Sequence, residues 1–373
     1  MSGIDGVPTS INGKQLPTPH PNVTEAPPWW LTRPQEIREF LESLEGVEVE
    51  VIGQTAGGRD IVAAAWGQRE MLEGRTCNVL SSALDGGDTG AFYGQGERER
   101  QVILFVGATH GNEFDGTVSA LNYLNIIVTG KDLLGREQSE MAAEGRKHRF
   151  IVIPLLNVDG RERVAHHVNW INFDVYYFQM ISQGLTRDGE IVHWPHSKRH
   201  HPMSPGEFAF IGSNRNDAGV NLAYDMAMGP DMQPENAALV RYVRREMPDC
   251  VMFSHSNHGS LVVGPSGYVP QHYRQRQVQM AALVGTRCAR DGYIKHNIAD
   301  PLWLGRGVRS YYQTDAIYHA CGALPLLVEF PCGSDGRPGT HEELVDIGLA
   351  AIDEICVFGN RYPFRPPDPP AED

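Results

Sequence analysis

Three short apolar runs, each broken off by a chemically active residue, constrain this chain more than anything else in it. Val102–Val106 (V-I-L-F-V) stops at Gly107 and is followed by A-T-H-G-N-E, which places His110 and Glu113 in a glycine-bearing turn. Cys250–Phe253 runs into Ser254-His255-Ser256-Asn257-His258-Gly259, and Leu324–Val328 runs into Glu329. Unbroken runs of this length, rich in β-branched residues, suit strands buried on both faces. A fourth, Phe150–Leu156, closes on Asn157-Val158-Asp159-Gly160-Arg161. Helix-like spacing lies between and after the runs. Val118, Leu121, Leu124 and Ile127 share one face, as do Leu344, Ile347, Ala351 and Ile355 within His341–Phe358; Glu235–Met247 and Arg274–Arg290 also read as helices. Strands alternating with helices predict one α/β domain, and such sheets place their ligand sites just past the carboxyl ends of strands.

The domain spans 31–362. Residues 1–30 read as an irregular arm whose end is anchored by Trp29 and Trp30, and 363–373 as a Pro-rich tail. A helix starts near Pro34, with Ile37, Phe40, Leu41 and Leu44 as its apolar stripe. Val47–Ile52 and Ile61–Trp66 read as strands joined through Gly57-Gly58-Arg59. Residues 70–100 read as a surface excursion. Residues 166–219 have little periodicity and much Pro, Gly, His and aromatic content, and long irregular segments of this kind tend to be functional. Their histidines (His166, His167, His193, His196, His200, His201) read as polar loop residues, with a second metal site as the sharper alternative.

A formal charge of -14 argues against nucleic acid, which needs clustered Lys and Arg. No apolar run approaches the ~20 residues that span a bilayer, and the first residues lack the basic and apolar regions of a secretory signal. A cytoplasmic location and a small or peptide-like partner are therefore expected. Cys77, Cys250, Cys288, Cys321, Cys332 and Cys356 carry no C-x-x-C spacing and read as reduced, core-filling thiols.

Taken alone, His110 and Glu113 make either a hydrogen-bonded loop or part of a metal site. His255 at a second strand end supplies a third ligand, and two histidines plus one glutamate with an open position is a common catalytic zinc set. Glu329, at a third strand end, is a carboxylate that needs a partner and suits the base that takes a proton from the attacking water.

In this order and spacing, the chain resembles the zinc carboxypeptidases (the carboxypeptidase A/B-like metallopeptidases). G-Q-T-A-G-G-R-D-I resembles the family's opening hairpin, T-H-G-N-E its H-x-x-E motif, and I-P-L-L-N-V-D-G-R its P-x-x-N-P-D-G segment, with Val158 in place of proline. F-S-H-S-N resembles the segment bearing the third ligand, I-Y-H-A-C-G the loop bearing a mobile substrate-capping tyrosine, and L-V-E-F the strand ending in the base. The resemblance implies a mixed, twisted, roughly eight-stranded sheet flanked by helices. It implies one zinc per chain on His110, Glu113 and His255, with Glu329 as general base, Tyr318 as the capping tyrosine, and hydrolysis of an amide bond in a peptide or peptide-like substrate. An arginine beside the metal is expected to meet the oxyanion; Arg215 is the nearest candidate, with Arg161 and Arg199 as alternatives.

The pattern breaks where the family carries D-L-N-R-N. Here the stretch reads Asn221-Leu222-Ala223-Tyr224-Asp225, so Ala223 and Tyr224 stand where an Asn-Arg pair grips a terminal carboxylate. Two other readings stay open: an N-acyl amino acid deacylase of the aspartoacylase and succinylglutamate desuccinylase group, and a catalytically silent binding protein. The oligomeric state is not readable from the sequence.

Overall fold

The computed structural model describes residues 7–17, 26–70, 98–164, 175–204, 206–226, 231–257, 261–293, 311–333 and 339–365. Its strands are β1 (Ser10–Ile11), β2 (Lys14–Gln15), β3 (Val47–Gln54), β4 (Asp60–Trp66), β5 (Val102–Val106), β6 (Arg149–Ile153), β7 (Leu185–Thr186), β8 (Phe208–Phe210), β9 (Cys250–Asn257), β10 (Val262–Gly264) and β11 (Leu324–Pro331). The main sheet runs β10-β11-β9-β5-β6-β4-β3. Its inner block β11-β9-β5-β6 is parallel, and the outer strands pair antiparallel. Among the described residues it has seven strands, one fewer than the resemblance implies; the mixed, helix-flanked architecture is otherwise as expected.

Burial follows position in the sheet. β5 and β6 are buried at every residue, so both must be apolar throughout apart from Arg149, whose Nε meets Glu246 Oε2 at 3.2 Å. β3, at the edge, alternates valine with glutamate and exposes its charged side. Helix Asp115–Thr129 follows β5 and packs against helix His341–Gly359, where Tyr123 Oη donates to Asp353 Oδ1 at 3.2 Å. Thr340 caps the latter helix by accepting from Glu343 N at 3.1 Å. Helix Pro34–Ser43 starts on its proline and buries Ile37 and Leu41, one turn apart.

Trp30 is buried, 4.6 Å from His341 and 6.3 Å from Phe114 between ring centroids, so the end of the arm is anchored. Five cysteines (Cys250, Cys288, Cys321, Cys332, Cys356) are buried free thiols. The stretch read as irregular contains a helix, Val175–Gln183, and the β7–β8 pair. Nine residues are too few for a helical period to stand out, yet Tyr177, Phe178, Met180 and Ile181 are all buried. His166, His167, Cys77, nearly all of the 70–100 excursion and most of the tail lie outside the described residues. No described helix is long and apolar enough to cross a membrane.

Candidate metal centre

The chain leaves β5 towards β6 on one side, while β9 lies on the other. Such a reversal of strand order opens a crevice at the carboxyl ends. The turn after β5 is fastened to the one after β6: Gly107 N donates to Ile153 O (2.8 Å), Leu156 N to Gly107 O (3.0 Å) and Asn157 N to Ala108 O (3.0 Å). At Gly111 a Cβ would collide with the backbone of Gly160, so only glycine lets the two loops touch. Arg161, fully buried, donates to Gly111 O at 2.9 Å and lies 4.5 Å from the Phe114 ring. Asp159 gathers the surroundings, accepting from Thr55 Oγ1 (2.6 Å), Arg59 Nη1 (2.6 Å), Gly57 N (2.9 Å) and Asp217 N (3.0 Å). The N-V-D-G-R segment and the T-A-G-G-R hairpin therefore support the loop that carries His110.

On that support three side chains converge. His110 Nδ1 lies 2.9 Å from Glu113 Oε1; His255 Nδ1 lies 3.0 Å from Glu113 Oε2 and 3.2 Å from His110 Nδ1. One donor atom from each lies within 4.8 Å of the others, the only such group of three among the described residues. A tetrahedral zinc with bonds of about 2.0–2.1 Å sets its ligands about 3.3 Å apart, so the spacing fits that ion. The outer contacts fit as well. His110 Nε2 lies 3.2 Å from Asn221 Oδ1, and donation there leaves the Nδ1 lone pair for a metal. Glu113 Oε2 accepts from Ser256 N at 3.2 Å, and Ser256 Oγ donates to Asp115 Oδ2 at 2.7 Å. Burial works against ionising Glu113, but the adjacent His110 and His255 outweigh it and hold the carboxyl down at about 2.

Glu329 and His255 are register partners on the adjacent parallel strands β11 and β9, which turns their side chains to one face of the sheet. Both line a cavity of about 470 Å³ with His110 and Glu113. Among the described residues the Glu329 carboxylate accepts no hydrogen bond. Burial pushes it up to about 7, with His255 opposing and Glu113 reinforcing the rise.

Two expected site residues lie elsewhere. Tyr318 is buried inside helix Gln313–Cys321, its ring 4.6 Å from that of Tyr273, and does not line the cavity. The helix starts at the cavity and runs away from it, carrying Tyr318 about 9 Å along its axis from Tyr312. Tyr312, at the N-cap, lines the cavity instead. Arg215 is buried with Nη1 on Gln183 O (3.0 Å) and Nη2 on Ser197 O (3.1 Å), and lines a neighbouring cavity; Asn214 lines the metal cavity. Arg161 is taken up with Gly111, and Arg199 is exposed. Ala223 and Tyr224 are on the cavity wall, where the Asn-Arg pair is replaced. Asn214 and Tyr312 escape a sequence reading because their neighbours carry the motif-like residues; the D-A-I-Y helix start beside Tyr312 is the one available signal.

Among curated protein sequences none matches this one. Solved structures share its fold. A metallo-carboxypeptidase from Burkholderia cenocepacia aligns with a TM-score of 0.53 at 15% identity, over 87% of this chain and 68% of its own. Bovine thrombin-activatable fibrinolysis inhibitor, in complex with tick carboxypeptidase inhibitor, aligns at 0.52 and 12% identity over 88% and 97%. A metallo-carboxypeptidase from Pseudomonas aeruginosa in complex with (2-guanidinoethylmercapto)succinic acid aligns at 0.52 and 12% over 87% and 68%. The family model described as zinc carboxypeptidase matches residues 37–280, well over half of the chain and all three candidate ligands, stopping short of Glu329. On that match, with a shared fold and three converging donors, the chain belongs to the zinc carboxypeptidase family.

Proposed function

We propose that this protein is a zinc-dependent hydrolase that cleaves an amide bond in a peptide or peptide-like substrate, with one zinc held by His110, Glu113 and His255. The observation that carries this reading is the meeting of those three donor groups on the cavity wall that Glu329 shares. Bound zinc supplies an acidified water and a Lewis acid for the scissile carbonyl. Asn221 orients His110 so that Nδ1 stays unprotonated. Glu329, on the face that His255 occupies, takes a proton from the attacking water and returns it to the leaving amine. Asn214 also lines the cavity, and its buried Oδ1 has no hydrogen-bond partner among the described residues. Ala223 and Tyr224 cannot form a bidentate grip on a carboxylate, so selectivity has to come from other residues.

The test is a pair of measurements on purified protein. Elemental analysis is expected to give one zinc per chain, with removal of zinc abolishing peptide hydrolysis and replacement restoring it. Glu329→Gln is expected to keep the zinc and lose turnover. Hydrolysis at the wild-type rate by Glu329→Gln, or by the metal-free protein, overturns the proposal.

A further inference from the structure

Glu113 and His255 lie 142 residues apart in the chain, and the β5–β9 ladder that joins their segments ends at Val106 and Phe253, short of both. Something beyond the ladder has to set the distance between them. Helix Asp115–Thr129 starts two residues after Glu113, and its first turn meets β9 at the two residues that flank His255. Alternate side chains of a strand face opposite ways. His255 lines the metal cavity, and the hydroxyls of Ser254 and Ser256 turn to the helix. At Gly116 an added Cβ would lie 2.1 Å from Ser254 Oγ and 2.6 Å from the Phe330 ring, so only glycine lets the helix sit this close. One residue earlier, Asp115 Oδ2 accepts from Ser256 Oγ at 2.7 Å.

Ser256 works in both directions. Its hydroxyl holds Asp115, and its backbone N donates to Glu113 Oε2 at 3.2 Å. A short circuit results, from Glu113 along the chain to Asp115, across the hydrogen bond to Ser256, and on to the adjoining His255, whose Nδ1 lies 3.0 Å from Glu113 Oε2. An acid in the first turn of a helix is ordinary, since the helix dipole favours it. This one is 4% exposed. Among the described residues Ser256 is the one side chain hydrogen-bonded to it, and Oδ1 has no partner. Burying a carboxylate with so few partners costs stability, a cost that recurs where residues serve a site.

We propose that Asp115 is a positioning residue for the metal centre: through Ser256 it holds Glu113 and His255 at the separation that one zinc requires, without touching the ion. The role rests on the metal-binding part of the hydrolase reading and is independent of turnover.

Zinc affinity, from competition against a chromophoric chelator, and the visible spectrum of the cobalt-substituted protein test it on wild type, Asp115→Asn, Asp115→Ala and Ser256→Ala. An amide still pairs with a hydroxyl, which both donates and accepts, so Asp115→Asn is expected to bind zinc within about threefold of wild type. Asp115→Ala and Ser256→Ala are each expected to bind it about 10- to 100-fold more weakly, as loss of an outer partner does, and to shift the cobalt bands. Both remove the same hydrogen bond, so the double variant is expected to be no weaker than the weaker single one. Urea unfolding of the metal-free proteins reads fold stability separately. If Asp115→Ala does not fold, Ser256→Ala, which keeps the backbone N–H to Glu113, carries the comparison. Full zinc affinity with an unshifted cobalt spectrum in the alanine variants overturns the role. So do additive losses in the double variant, or an Asp115→Asn loss as large as that of Asp115→Ala. A wild type that takes up no zinc sinks the metal reading and this role together. Zinc binding that depends on Asp115 without peptide turnover keeps the role and sinks the hydrolase alone.

Discussion

Replacing Asn221 tests the metal centre through a residue that never touches the ion. Its Oδ1 accepts from His110 Nε2 at 3.2 Å and from Ala223 N at 3.0 Å, in a buried setting. Asn221→Ala removes both acceptors at once. The first loss frees His110 to change tautomer and orientation, which in comparable sites weakens metal binding about 10- to 100-fold, or roughly 1.4–2.7 kcal/mol. The second uncaps the short helical turn Leu222–Tyr224 and removes about 1 kcal/mol of fold stability. Asn221→Asp keeps both acceptors and adds a charge that a bound divalent ion offsets, so its zinc affinity is expected within about threefold of wild type. Competition against a chromophoric chelator gives the affinities, and urea unfolding of metal-free and zinc-loaded protein gives the linked stabilities. At zinc 100-fold above the wild-type Kd, binding stabilises wild type by about 2.7 kcal/mol; a 30-fold weaker site keeps about 0.9 kcal/mol of it. If Asn221→Ala binds zinc as tightly as wild type while the metal-free fold shows only the cap loss, His110 is not held for a metal.

The other predictions are independent of that one. Glu329→Gln is expected to lower kcat on peptides by about 10²- to 10⁴-fold, the usual contribution of a general base, with zinc content unchanged by elemental analysis. Tyr318→Phe is expected to leave kcat within about twofold, because its ring is packed on Tyr273 away from the cavity; a large loss would restore it as a capping group. His341, packed on Trp30 with Nε2 unpartnered among the described residues, is lowered by burial from 6.5 to about 4, Glu342 opposing. The folded state disfavours the protonated ring, so this contribution is complete above pH 6.5 and is lost as pH falls towards 4. It amounts to about 2–3 kcal/mol. Urea midpoints measured from pH 7.5 to 4.5 should show a steeper fall in wild type than in His341→Leu, and parallel curves would contradict it.

The parallel block was legible because burial on both faces demands unbroken apolar runs. β5, β6, β9 and β11 have them, and His110, His255 and Glu329 stand out as the points where apolar character stops. β10 has three residues, too few to carry a pattern. The Asn112 network was invisible for another reason: Nδ2 donates to Ser182 Oγ (2.8 Å) and Oδ1 accepts from Ser213 Oγ (2.6 Å), and these partners lie 70 and 101 residues away. Arg215 shows how narrow the margin is, since adjacent residues in an open loop point differently and Asn214 takes the cavity side. Tyr318 is carried off the cavity wall by helical rise, which no short motif reveals.

Asp159 has a consequence for how such a protein tolerates change. It ties Thr55, Gly57, Arg59 and Asp217 behind the loop that Gly111 and Gly160 press together. The precision of the imidazole at 110 is therefore anchored by a buried side chain that does not line the metal cavity. A saturation screen scored on turnover alone would find a sensitive position there and mistake scaffolding for chemistry, unless protein abundance were read alongside.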